Sequence, residues 1–131
     1  MRSGEGRIRM KDLTIVMENR PGVLASLGES LGKAGVNVEG FCGFPSEGQA
    51  IGHLLVEDAA GARRALEQAG AKVTGERDVL LLDLENRAGA LGDTAKKVAE
   101  AGVNIELVYV ASNNRVVVGV DNLDKAKAAL A

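Results

Sequence analysis

The chain has 131 residues, 46% of them hydrophobic and 26% charged, with a formal net charge of −2. That balance is globular rather than disordered, and the interspersed Lys, Arg, Asp and Glu leave no electrostatic footprint for nucleic acid or an anionic membrane. A single cysteine, Cys42, excludes an internal disulfide and fits a reducing compartment, and the polar start MRSGEGRIRMKD predicts neither a signal peptide nor a membrane anchor, so a cytoplasmic location is expected.

LTIVM at 13–17 is an apolar, β-branched run, long enough for a strand and too short for a helix. Asn19 follows it, and Pro21 falls where a first helical turn accepts proline, because the missing N–H is unpaired there anyway. Leu24, Leu27, Leu31 and Ala34 recur at helical spacing and predict one apolar stripe. Gly35 stands where a left-handed C-terminal cap is wanted. VNVEGF at 36–41 alternates like a strand, PSEG at 45–48 reads as a turn, and AIGHLLV at 50–56 reads as the partner strand. A second helix over about 58–69 turns Ala62, Ala65, Leu66 and Ala69 inward and ends at Gly70. AKVTG at 71–75 makes a brief fourth strand.

The second half repeats that order. VLLLDL at 79–84 predicts a strand, and Leu91, Val98 and Ala101 line a helix capped by Gly102. VNIELVYVAS at 103–112 and RVVVGV at 115–120 form a hairpin across Asn113 and Asn114, and a short helix runs through Ala126, Ala129 and Leu130. The order repeats because the sequence does: ENRPGVL at 18–24 returns as ENRAGAL at 85–91, and AGVNVE at 34–39 as AGVNIE at 101–106, both after 67 residues. Ten of the 22 positions from Glu18 to Glu39 are identical under that shift. Identity at a fixed period means one structural unit used twice.

The expected fold is therefore α+β, with two ferredoxin-like β-α-β-β-α-β units in tandem over residues 11–78 and 79–131. Each has an antiparallel sheet with its helices on one face. The second unit lacks its own last strand, and RIRM at 7–10 is the candidate to fill the vacant edge. Units this small have marginal cores alone, so a shared interface is expected.

The repeated loop is where chemistry can sit. Between a strand and a helix, Asn19 and Arg20 place an amide and a guanidinium beside the N–H groups of a helix start, which favour a carboxylate or phosphate. Gly22 removes a β-carbon and lets another group approach. Asn37, opening the next strand, offers donor and acceptor together, which suits an ammonium–carboxylate pair. Asn86, Arg87, Gly89 and Asn104 repeat the set. The plainer alternative is that the asparagines cap and the glycines turn, with no ligand. Replacement of Pro21 by Ala88 implies that the two loops are no longer equivalent.

The strand, ENRPGVL, helix and AGVNVEGF succession resembles the ACT domain, a small regulatory module that binds amino acids. The loop motifs are similar to the ACT domain of serine-inhibited phosphoglycerate dehydrogenase, and the resemblance covers both halves after residue 11. It implies a tandem ACT protein whose ligand lies where two units meet. Carried over residue by residue, it makes Asn19, Arg20, Pro21, Gly22, Val23, Leu24 and Asn37 ligand-binding in the first copy. In the second copy it selects Asn86, Arg87, Gly89, Ala90, Leu91 and Asn104. The serine-binding relatives carry a histidine two residues before the loop asparagine, where this chain has Met17 and Leu84. That departure points away from serine and toward a branched or thioether side chain.

The remaining candidates are weaker. His53 is the only histidine and lies on a predicted strand as a sheet residue, and Cys42 reads as a small hydrophobe. One His and one Cys cannot supply a four-ligand zinc site, Asp83 and Glu85 do not form a calcium loop, and no phosphate loop or dinucleotide fingerprint is present. No metal or cofactor is expected, and with no nucleophile–base pair neither is an enzyme. RNA binding needs stacking aromatics, and Phe41, Phe44 and Tyr109 are all the chain has. The expected function is an amino-acid-binding regulatory module. Its partners would be an amino acid or related small metabolite and a regulated protein or a second copy in a homodimer, with neither nucleic acid nor membrane. The alternative is a ligand-independent regulatory subunit of a metabolic enzyme, a use the ACT resemblance also implies.

Overall fold

Strict alternation in the first apolar run builds a sheet with one oily face. In a computed structural model of the chain, which describes residues 10–130, strand β1 (Lys11–Glu18) buries Leu13, Ile15 and Met17. Helix α1 (Val23–Lys33) follows, then a hairpin of β2 (Gly40–Ser46) and β3 (Gln49–Val56), helix α2 (Ala59–Gln68) and β4 (Lys72–Asp78). The strands lie in the order β4-β1-β3-β2, and β3 is antiparallel to both its neighbours. Leu27 and Leu31 of α1 and Ala62, Ala65 and Leu66 of α2 pack with Leu13, Ile15, Met17, Leu54 and Val56. Both helices therefore cover the same face. Gly52 makes room for this packing, since a β-carbon there would lie 3.1 Å from Ile15 Cγ1 and 3.3 Å from Met17 Cε.

The chain divides into two compact units, one spanning Met10–Arg77 and the other beginning at Asp78. The second holds β5 (Leu80–Asp83), α3 (Ala90–Glu100), β6 (Ile105–Ala111), β7 (Arg115–Val120) and α4 (Leu123–Leu130). Its sheet runs β6-β7-β5, antiparallel throughout, with Val98 and Ala126 packed on Leu80, Leu82, Val116 and Val118. Among the described residues this sheet has three strands where the first unit has four, so the unit lacks its own last strand as the sequence indicated. The strand suggested for residues 7–10 lies outside the described residues, apart from Met10. The fold is α+β, with antiparallel sheets and the helices on one face.

Turn chemistry fixes the hairpins. Glu47 and Gly48 both have positive φ, 48° and 82°, as a two-residue hairpin turn requires. Asn113 and Asn114 also have positive φ, 61° and 53°, but within a three-residue loop between the paired Ala111 and Arg115. Gly35 and Gly102, at φ 73° and 76°, end α1 and α3 in the left-handed conformation, with Val36 N–H bonded to Leu31 O and Val103 N–H to Val98 O. Asp58 caps α2 by accepting from Gly61 N–H at 2.9 Å, and Asn122 caps α4 by accepting from Lys125 N–H at 3.1 Å.

Several sequence-based expectations change. The second strand begins at Gly40, so residues 36–39 form an extended link, and β4 is longer than 71–75 while β5 is shorter than 79–84. Ala34 is exposed, and Leu24 and Leu91 are 57% and 53% exposed, so the inward stripe of α1 reduces to Leu27 and Leu31. Both leucines sit in the first turn of their helices. Among the described residues no helix is long and apolar enough to cross a membrane.

Candidate functional site

Why the loop is spelled twice is answered by its backbone. Gly22 has φ 89° and ψ −15°, and Gly89 has φ 90° and ψ −12°. These are the angles of the third residue of a type II turn, which only glycine adopts cheaply. The turn closes through Val23 N–H to Arg20 O at 3.5 Å, and through Ala90 N–H to Arg87 O at 3.3 Å. Proline favours the second position of such a turn without being required there, so Ala88 can replace Pro21. Pro21 thus lies in the turn before the helix rather than in its first helical turn, since α1 starts at Val23. Neither asparagine caps: Gly22 and Gly89 are the N-caps, with no side-chain cap bond.

The guanidinium of each loop is already engaged. Arg20 Nε donates to Glu18 Oε2 at 3.1 Å and its Nη2 to Oε1 at 3.4 Å, which lowers the Glu18 carboxyl below its ordinary pKa and raises that of Arg20. Arg87 Nε donates to Glu85 Oε2 at 3.0 Å, and its Nη2 to Asp93 Oδ2 at 2.9 Å. Hydrogen bonds to Asp93 and then Glu85 raise the Arg87 pKa. Asp93 stands where the first copy has Ser26. The first turn of α3 therefore carries a carboxylate, and that of α1 carries none.

The donors that remain are backbone. In α1, Val23 N–H bonds Arg20 O and Ser26 N–H bonds Gly22 O, which leaves the N–H groups of Leu24 and Ala25 without a backbone acceptor among the described residues. In α3 the same holds for Leu91 and Gly92, but there Asp93 is at hand. Asn37 is exposed in the link before β2 rather than at the start of the strand, and its amide donates to Glu39 Oε2 at 2.7 Å. Asn104 is held through its backbone, with its N–H donating to Asp121 Oδ1 at 3.0 Å and its carbonyl accepting from Asp121 N–H at 3.1 Å.

Cavities divide the predicted residues unevenly. In the second unit a cavity of about 560 Å³ is lined by Arg87 and Ala90 together with Asp83, Glu85, Asp93, Thr94, Lys96, Lys97 and Glu100. In the first unit, a cavity of about 210 Å³ includes Leu24, and another of about 290 Å³ runs along Met17, Glu18 and Lys72. Asn19, Asn37, Asn86 and Asn104 line none of these three. Sequence reasoning missed Asp93 and Thr94. The signal was available, since both are departures from the repeat within its helical part, where Ser26 and Leu27 stand in the first copy.

Opposite the helices, the first sheet carries a polar cluster that the sequence did not announce. Asp12 is fully buried, its Oδ2 lies 3.1 Å from His53 Nδ1, and Thr14 Oγ1 lies 3.4 Å from the same nitrogen. Cys42 pairs with His53 across β2 and β3, and burial first, then the Asp12 carboxylate, push its thiol pKa up. A raised thiol is a poor nucleophile. Among the described residues no group of three or more His, Cys, Asp or Glu could hold a metal ion.

The fold is that of ACT-type regulatory domains. The regulatory subunit of aspartate kinase from Thermus thermophilus, in its ligand-free form, superposes with a TM-score of 0.73 at 22% identity over 94% of this chain and 89% of that one. The corresponding subunit from Thermus flavus gives 0.70 at 22% identity over the same shares. Protein BT0572 from Bacteroides thetaiotaomicron is 31% identical over 92% of this chain and 85% of its own, with a TM-score of 0.80. The chain belongs to the same family as that protein. No family model and no curated protein matches it.

Proposed function

We propose that this protein is a regulatory module that binds a free amino acid. The ligand is held by a strand–helix loop of the ACT-type fold. The first loop provides the grip, with the ligand carboxylate on the N–H groups of Leu24 and Ala25 and Asn19 and Asn37 serving the ammonium group. One observation carries this reading: the two loops share a backbone, yet only the helix start of α1 has no carboxylate of its own. At α3, Asp93 brings a carboxylate into the first turn, tied to Arg87, where it opposes an anionic ligand. The likeness to regulatory subunits of aspartate kinase supports a module that acts on a regulated enzyme.

Thermal-shift and calorimetric titration with the twenty amino acids tests it. A ligand at a hundred times its dissociation constant stabilises the fold by about 2.7 kcal/mol, a melting shift on the order of 10 °C. Ser26→Asp places in α1 the carboxylate that α3 already has, and binding is expected to be lost with the fold intact. A flat screen at millimolar concentration, or full binding by Ser26→Asp, overturns the reading. Val108 and Val110, 46% and 65% exposed on β6, favour a second one, a ligand-independent interaction module that pairs with an enzyme or with a second copy.

A further inference from the structure

The small cavity of the first unit has a chemistry of its own. Leu24 and Val38 stand exposed at its mouth, Phe41 and Leu54 come from the sheet, Leu66 comes from α2, and Gly28 of α1 leaves one wall without a side chain. A β-carbon built at Gly28 meets nothing within 4 Å. The lining is wholly apolar. At about 210 Å³ it exceeds the roughly 150 Å³ that lets an apolar protein cavity stay dry and take up benzene. It is also next to the loop, because Leu24 both lines it and carries one of the unpaired N–H groups two residues beyond Gly22.

We propose that this cavity receives the side chain of the bound amino acid and selects an apolar, non-aromatic one such as that of leucine, isoleucine, valine or methionine. The assignment rests on the amino-acid reading above. With the carboxylate at the start of α1, a side chain laid along Leu24 enters between Gly28 and Phe41. A hydroxyl or amide placed there would be desolvated with no partner in the lining. The second copy does not keep this lining: Ala95 stands at the place of Gly28, polar Thr94 at that of Leu27 and the smaller Val108 at that of Phe41. The first copy alone pairs an open helix start with a bare glycine wall.

Calorimetric titration of the full chain tests this with two isosteric pairs, valine against threonine and leucine against asparagine. Valine is expected to bind up to about 100-fold more tightly than threonine, the range an apolar pocket achieves against an added hydroxyl. Gly28→Leu fills the cavity, and leucine affinity is expected to fall at least tenfold, while the melting temperature holds or rises because leucine is the better helix former. Gly32→Leu, one turn along α1 and outside the cavity, is expected to bind as the parent does. If amino acids bind but threonine and asparagine match their isosteres, or Gly28→Leu binds unchanged, the selectivity is overturned and the regulatory reading stands. If 4-methylpentanoate or isoamylamine stabilises the parent and not Gly28→Leu while leucine does nothing, the cavity is supported as an aliphatic site and the zwitterion reading fails. If none of these probes binds, both fail.

Discussion

The two loops keep one backbone and have parted company in everything around it. Gly22 and Gly89 agree within a few degrees, and each arginine grips the glutamate two residues before it. Past the turn, Ser26, Leu27 and Gly28 of the first copy correspond to Asp93, Thr94 and Ala95 of the second. The first copy thereby opens onto an apolar cavity and the second onto one rimmed by Arg87, Asp93, Lys96 and Lys97. The sheet faces away from the helices diverge in the opposite sense. Asp12, Thr14, Cys42 and His53 make the first one polar, whereas Leu81, Tyr109 and Val117 are buried in the second. Duplication preserved the turn that glycine dictates and left the side chains free to specialise.

The largest effects test the helix faces. Leu27 is almost fully buried against the sheet, so Leu27→Ala is expected to cost about 2–5 kcal/mol in urea denaturation. Thr94→Ala at the equivalent place is expected to cost only about 1 kcal/mol. Equal costs would mean the two helices are anchored alike after all. Next comes the polar face. His53→Val imports the residue found at Val117 and removes one partner from the buried Asp12 carboxylate, a loss of about 1–3 kcal/mol. A neutral result would show that the Asp12–His53 pair does not hold the face together.

Backbone strain comes third. An L-residue forced into the left-handed region costs about 1–2 kcal/mol. Gly22→Ala and Gly89→Ala are therefore expected to lower the melting temperature by similar amounts, on the order of 5 °C each. A difference between the two would break the claim that the turns are equivalent.

What the sequence made legible follows from where short-range rules act. The alternation of Leu13, Ile15 and Met17, the glycines ending α1 and α3, and the Asn113–Asn114 turn depend on local backbone preferences, and all hold. The 67-residue repeat marks both loops in the sequence itself. Burial of Leu24 and Leu91 was misread because helical spacing gives the stripe and not how far the sheet extends beneath it. Arg20 and Arg87 read in the sequence as donors for a ligand, yet each guanidinium is taken by the glutamate two residues before it, a pairing that no motif marks. Asp12 gave no signal at all, since its partner is 41 residues away across the sheet.

The smallest expected effect separates the turn from the ligand. Ala88 stands at the second position of its type II turn, its N–H makes no hydrogen bond among the described residues, and its carbonyl, which accepts from Arg87 Nη1, survives substitution by proline. Ala88→Pro is accordingly expected to stabilise the fold by about 0.4–1 kcal/mol through the unfolded chain, and Pro21→Ala to lose as much. Neither change touches Ser26, Asp93 or Gly28. Amino-acid affinity measured on the double exchange should therefore stay with the first copy. Were affinity instead to follow the proline, the turn itself would be the specificity element, and the contrast between a helix start without a carboxylate and one carrying Asp93 would lose its force.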